Sequence, residues 1–195
     1  MSENVFDRMA GKYDKEERIA LANTIAAEMK KYFPHDANNI LLDYGCGTGL
    51  IGLQFKDDFK KLIFSDISGE MLKVVDEKIE AHKIGNAETK QTEELGSEEA
   101  DVIIVSLVML HVPEFRELIK KLYDILNESG QLIIADFDKN DSVYHEKVHN
   151  GFTHDEMRFA LADAGFKNID IKTFYHGEKI FMKKDASMFI ANARK

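Results

Sequence analysis

The sequence predicts an α/β fold in three layers: a largely parallel sheet with helices on both faces, closed at one edge by an antiparallel hairpin. Three observations predict it. Short apolar runs of strand character alternate with segments whose apolar residues recur every three or four positions. Two of the runs, 101–107 and 131–135, are almost wholly aliphatic, as strands buried on both faces are. The last two strand-like segments, 168–175 and 187–193, have no helical pattern between them, so they pair as a hairpin and make the sheet mixed.

The elements follow in order. Residues 15–33 carry Ile19, Ala22, Ala26, Met29 and Phe33 at helical spacing. Pro34 ends that helix, because proline disfavours a helical residue before it. Residues 40–44 form the first strand, and Leu50 opens the next helix. A short strand over 61–65 ends in Asp66. Ser68 caps a helix over 69–82, with Met71, Leu72, Val75 and Ile79 on its apolar side. Residues 87–91 give a short edge strand with few apolar side chains. After strand 101–107, Pro113 sits where a helix start accepts it. Leu118, Ile119, Leu122, Ile125 and Leu126 form that helix's stripe, and Gly130 ends it. Residues 137–152 are polar and irregular. Thr153 and Glu156 form a capping-box pair that opens a helix ending at Gly165.

Composition bounds the function. The 195 residues suit one domain with one sizeable core, and no repeat, low-complexity tract or linker divides them. A formal net charge of -9 disfavours non-specific binding to nucleic acid or anionic membrane. The single cysteine fits a reducing compartment. The charged N-terminal segment lacks an apolar signal core. The longest apolar run, 102–112, is broken by Ser106 and His111 and falls short of the roughly 20 residues a membrane helix needs. The expectation is a cytoplasmic protein with no nucleic-acid or membrane partner; oligomeric state is not legible.

The chemistry gathers at residues 41–52, LLDYGCGTGLIG. An apolar strand, then Gly45, Gly47 and Gly49, then a new apolar pattern make a strand-to-helix turn, the usual site of a nucleotide-like cofactor. A dinucleotide fingerprint would place Gly or Ala where Leu50 stands. A pyrophosphate would be repelled by Asp43, with no Lys or Arg between Ile40 and Gln54 to compensate. S-adenosylmethionine, which carries a sulfonium and an α-ammonium and no phosphate, fits. Asp66, about twenty residues after Gly45, lies where an acidic residue accepts hydrogen bonds from ribose hydroxyls.

The segments LLDYGCGTG, IFSDISGEML, ADVIIVSLVMLHV and LNESGQLIIADF resemble the successive motifs of class I S-adenosylmethionine-dependent methyltransferases. GFTHDEMRFALADAGF resembles the closing helix of that family's small-molecule branch, and FDRMAGKYD its N-terminal lead-in. The resemblance implies a Rossmann-like seven-stranded mixed sheet with the cofactor across the C-terminal ends of the first strands. It implies that Gly45, Cys46 and Gly47 line the methionine part and Asp66 holds the ribose. Ile67 and Met71 then lie against adenine, Ser106 and Leu107 beneath the sulfonium, and Tyr13 covers the cofactor from an N-terminal lid. Where the family shows an Asp near the adenine amino group, this chain reads Lys90-Gln91-Thr92-Glu93, so Gln91 or Thr92 takes that place. The chain then divides into a lid and helix (1–36), a cofactor-binding core (37–136), and a substrate-side lid with closing helix and hairpin (137–195).

Several features keep a second reading. Residues 145–149 match His-Glu-x-x-His, which on a helix would bring His145 and His149 to one metal with Glu146 as base. The alternatives are a chance match in a short lid helix, or two histidines lining the acceptor pocket. His111 either caps the turn before a helix or faces the acceptor as a general base. Cys46 is a small packing residue or a thiol nucleophile without an evident partner base. Tyr13 packs or covers the cofactor. Asp43 meets the cofactor's charge, or accepts backbone N–H groups of its own turn.

The function expected is methyl transfer from S-adenosylmethionine to a small-molecule O, N, S or C nucleophile, with the acceptor between the N-terminal helix and 137–152. A sulfonium is a good donor unaided, so positioning and water exclusion suffice. No residue is assigned as catalytic; His111, Tyr13 and His149 are the candidates, and no metal is called for. The alternatives are a non-catalytic or partner-dependent S-adenosylmethionine-binding module and a nicotinamide-dependent oxidoreductase.

Overall fold

The computed structural model describes residues 13–34, 36, 38–97 and 99–195. The lead-in FDRMAGKYD is therefore described only from Tyr13 onward, and Phe6 and Met9 lie outside the described residues.

Seven strands form one sheet in the order β3-β2-β1-β4-β5-β7-β6. They are β1 (Ile40–Tyr44), β2 (Lys61–Asp66), β3 (Ala87–Gln91), β4 (Ala100–Ser106), β5 (Leu126–Phe137), β6 (Lys167–Phe181) and β7 (Lys184–Arg194). The first five are parallel, and β7 runs antiparallel between β5 and β6. The order reverses between β1 and β4, which opens a crevice at their carboxyl ends. Tyr44 is level with Ser65 on one side and Val105 on the other, so Gly45, Asp66 and Ser106 emerge side by side at that crevice.

The central strands are buried through Leu41, Leu42, Ile103, Ile104, Ile133 and Ile134. Helices α1 (Glu16–Met29), α2 (Gly69–Ala81), α3 (Phe115–Ile125) and α4 (His154–Asp163) cover the sheet. Ser68 caps α2 by accepting from Met71 N at 3.2 Å, and Thr153 caps α4 by accepting from Glu156 N at 3.1 Å. No helix among the described residues is long and apolar enough to cross a membrane.

Five sequence expectations need correction. Ile19 is not on the buried stripe of α1; it is 38% exposed, and Ile25 takes its place. The helix after the glycine turn is a single tight turn, Gly52–Phe55. A Cβ at Gly52 would lie 2.5 Å from Asp43 Oδ2 and 2.6 Å from Phe64, so the chain is pulled against the sheet there, and buried Phe55 and Phe59 seal the layer instead. Helix α3 starts at Phe115, two residues past Pro113, and ends at Ile125; Leu126 turns extended to pair with Ala100, and a bulge absorbs the residues up to Gly130. Strands β6 and β7 run several residues further toward their shared turn than the alternation shows. Residues 145–149 form irregular turns rather than a lid helix.

Candidate functional site

The site begins with three glycines in left-handed conformation, at φ +70° (Gly45), +52° (Gly47) and +75° (Gly49). Gly45 also has no room for a side chain: a Cβ there would stand 2.4 Å from Val108 Cγ2. The turn is fastened to β2. Gly45 N and Cys46 N both donate to Ser65 O, at 2.7 and 3.0 Å. Gly47 N donates to Asp66 Oδ2 at 2.9 Å, while Asp66 Oδ1 accepts from Ser68 N at 2.9 Å.

The segment before α1 is clamped onto this turn. Lys78 Nζ donates to Asp14 Oδ2 at 2.6 Å and to Thr48 O at 2.7 Å, and Thr48 Oγ1 donates to Asp14 Oδ1. Tyr13 is thereby laid over the glycines, its ring 3.8 Å from where a Cβ of Gly47 would be. The Arg18 guanidinium stacks 4.1 Å from the centre of that ring and donates to Tyr13 O. Burial raises the Tyr13 phenol above its ordinary pKa, against the opposing pull of Arg18.

Two chambers open at the strand ends. The first, about 230 Å³, is bordered by Tyr44, Asp66, Ile67, Met71, Thr92 and Leu118. The second, about 360 Å³, is bordered by Arg18, Leu21, Ile25, Cys46, Leu110 and the hairpin residues Ile180–Met182. They share one wall: Tyr13, Gly45, Gly47, Ser106, Leu107 and His111. In that wall the Ser106 hydroxyl is buried with no hydrogen-bond partner among the described residues. Leu107 next to it holds φ +55°, a conformation a non-glycine residue adopts at a cost of order 1–3 kcal/mol. A larger depression of about 430 Å³ around Asp138, His176 and Asp185 shares no residue with either chamber and lies open to solvent.

A methyltransferase-domain family matches residues 15–171. The chain belongs to that family. An uncharacterized methyltransferase of Schizosaccharomyces pombe is 23% identical over 183 residues, covering 82% of this chain; the chain spans 64% of that relative's length. An S-adenosylmethionine-dependent methyltransferase from Aquifex aeolicus superposes with a TM-score of 0.72 at 19% identity, covering 96% of this chain and 97% of that one. The methyltransferase in complex with the Haloferax volcanii Trm112 methyltransferase activator gives 0.78 at 13% identity, with 100% and 99% covered. At such identities the likeness is one of fold. The Aquifex protein is S-adenosylmethionine-dependent, and the chambers here suit that cofactor: a carboxylate at a strand end, a buried hydroxyl at their junction and a cradle of glycines under a tyrosine ring.

The methyltransferase fold gathers most of the residues singled out in the sequence, and parts with some. Tyr13, Gly45, Gly47, Asp66, Ile67, Met71, Ser106, Leu107 and His111 all border the chambers. Of the pair Gln91 and Thr92, only Thr92 borders one; Gln91 instead forms a reciprocal cap with Glu94. Cys46 borders the second chamber, and burial pushes its thiol well above the ordinary range, which leaves it un-ionised and a poor nucleophile. Asp43 also borders that chamber but is 4% exposed, with Oδ2 accepting from Gly52 N at 3.1 Å. Burial raises its pKa to about 7, with Asp66 adding to the rise, so it is a poor source of fixed charge.

His149 lies outside both chambers. Its backbone N donates to Leu110 O at 2.8 Å, its Nε2 meets Val112 O at 3.1 Å, and its ring packs on Phe115 and Phe152. It tethers the connection after β5 to the turn Met109–His111. His145 is exposed and accepts from Lys147 N at its own turn. Without a helix the two imidazoles do not share a face, and no group of three or more His, Cys, Asp or Glu among the described residues is placed to hold a metal. His111 stays at the junction, its pKa lowered by burial and by the nearby His145.

Arg18 and the hairpin residues were missed. Arg18 shares a helical face with Leu21, Ala22 and Ile25, so the 3.6 period carried a signal for it. Nothing in the sequence brings residues 180–182 to a site built around residue 45.

Proposed function

We propose that this chain is an S-adenosylmethionine-dependent methyltransferase acting on a small-molecule acceptor. One observation carries the reading: a nucleoside-sized chamber and a mostly apolar second chamber meet at a single wall containing Gly45, Ser106 and His111. Bound S-adenosylmethionine supplies an electrophilic methyl group at its sulfonium. The protein's residues hold, orient and exclude water. Asp66, whose two oxygens accept from Gly47 N and Ser68 N and so stay fixed at the end of β2, takes the ribose hydroxyls. Ile67, 59% exposed, and Met71, buried beneath it, flank the adenine, with Thr92 at its edge. Arg18 is the one Lys or Arg bordering either chamber among the described residues, and it pairs the methionyl carboxylate. Ser106 Oγ faces the reacting end. His111, held largely neutral by its lowered pKa, is the base available to an acceptor that must lose a proton. Tyr13 closes the site against water.

Residues 1–36 act as the lid, 37–136 as the cofactor-binding core and 137–195 as the acceptor side. A net charge of -9 and one cysteine support a small-molecule partner and a cytoplasmic location. The test is calorimetric titration with S-adenosylmethionine, S-adenosylhomocysteine and NADH in parallel. Binding of the two sulfur nucleosides alone is expected. Binding of NADH alone, or of none of the three, overturns the proposal.

A further inference from the structure

The β6–β7 hairpin reaches beyond the sheet that carries it. Strand β7 pairs with β5 only as far as Phe137 opposite Met188, so residues 184–187 project past the carboxyl end of β5. Pairing with β6 continues outward to Phe181 opposite Lys184. Between Gly177, which faces Ala186, and Phe181, β6 takes four steps where β7 takes two. A bulge of this kind bends the strand that carries it, and Lys179 sits at its apex with φ +55°. Met182 and Lys183 close the arm as a two-residue turn with both φ positive, +49° and +63°.

The bent tip comes to rest over the second chamber. Phe181 is buried and stacks on Phe137 at 4.1 Å with an interplanar angle of 3°, which anchors the arm to the end of β5. Ile180 and Met182, on either side of that anchor, border the chamber together with Leu21 and Ile25 of α1. Met182 is 45% exposed at a tight turn, a position where polar residues are the usual choice. A methionine side chain there is adaptable apolar surface awaiting a partner.

We propose that this hairpin tip selects the acceptor, and that the acceptor carries its nucleophile on an apolar body packed between Ile180, Met182 and α1. The inference rests on the methyltransferase reading above and deepens it. Apolar contacts of this kind gain affinity with each methylene removed from water, about fourfold at 25 °C.

The probes are phenol, 4-ethylphenol and 4-butylphenol, titrated calorimetrically into the protein saturated with S-adenosylhomocysteine. Affinity is expected to climb about fourfold per added methylene. In Met182→Asp and Ile180→Asp the climb should fall below about twofold per methylene, with S-adenosylhomocysteine affinity unchanged. A flat series in the unaltered protein, or an undiminished climb in both variants, overturns the assignment while leaving the methyltransferase reading intact. Failure of S-adenosylhomocysteine itself to bind overturns both.

Discussion

Asp43→Asn should change the pH dependence of stability in a direction the structure fixes. Asp43 is buried at the end of β1, and its carboxyl titrates at about 7 in the folded protein against an ordinary value of 3.8. A folded pKa above the unfolded one means that the folded state holds its proton longer. Stability from this group is therefore intact below about pH 4, falls as pH rises to about 7, and is flat beyond. The span corresponds to on the order of 4 kcal/mol, at about 1.4 kcal/mol per unit. Asparagine keeps an oxygen to accept from Gly52 N and has no charge to bury. The stability of the variant minus that of the parent should thus rise by about 2–4 kcal/mol between pH 4 and pH 8, whatever the offset at pH 4. Urea denaturation of both proteins across that range measures it, and taking the difference cancels Asp136, whose burial likewise raises its pKa to about 7. A difference independent of pH would refute the assignment of Asp43 as a carboxyl that is neutral through burial.

Gly45→Ala meets both the left-handed backbone and Val108, and should cost about 2–4 kcal/mol of stability in the same denaturation assay. Asp66→Ala removes the acceptor of Gly47 N and of Ser68 N; S-adenosylhomocysteine affinity should fall about 10- to 150-fold by calorimetry. His149→Ala should lower stability by about 1–2 kcal/mol and leave S-adenosylhomocysteine affinity unchanged, because the imidazole holds Val112 O and two phenylalanine rings rather than a ligand. Zinc should leave the thermal midpoint of the parent protein where it is, since the 145–149 segment offers no shared face.

Local chemistry made the fold legible where it acted alone. The edge strand β3 lies at residues 87–91 as the sequence suggested despite few apolar side chains, and the Ser68 and Thr153 caps, read from single side chains, do form their bonds. The buried strands announced themselves because both of their faces are mostly aliphatic, with polar residues gathered toward the strand ends. Elements decided by packing were read wrongly. Leu50, Ile51 and Leu53 keep a helical period, yet the chain there makes one tight turn because Gly52 is pressed on Asp43 and Phe64. Leu126 has the spacing of the α3 stripe and joins the sheet instead. At the site, the glycine turn and Asp66 carried their own signal. The hairpin tip did not, since its approach depends on a bulge far along the sequence, and His149 took on chemical interest from a motif whose helix is not there.

Three carboxylates explain how irregular loops make a firm site. Asp66, at the end of β2, takes Gly47 N from the loop after β1. Asp136, fully buried near the end of β5, takes Leu110 N from the loop after β4 at 3.3 Å. Asp43, in β1, takes Gly52 N where the same glycine loop turns back. In the first two cases an acid on one strand fastens the loop leaving its neighbour, one pair on each side of the line where the sheet order reverses. The walls of both chambers are thus loop backbones pinned from the sheet, and the strained Leu107 is itself held by its N–H donating to Ala135 O at 2.9 Å. Asp43 and Asp136 make their attachments as largely uncharged carboxyls below about pH 7, so their contribution is geometry more than field. Asp66 is the one of the three that borders the smaller chamber while it fastens the glycine loop.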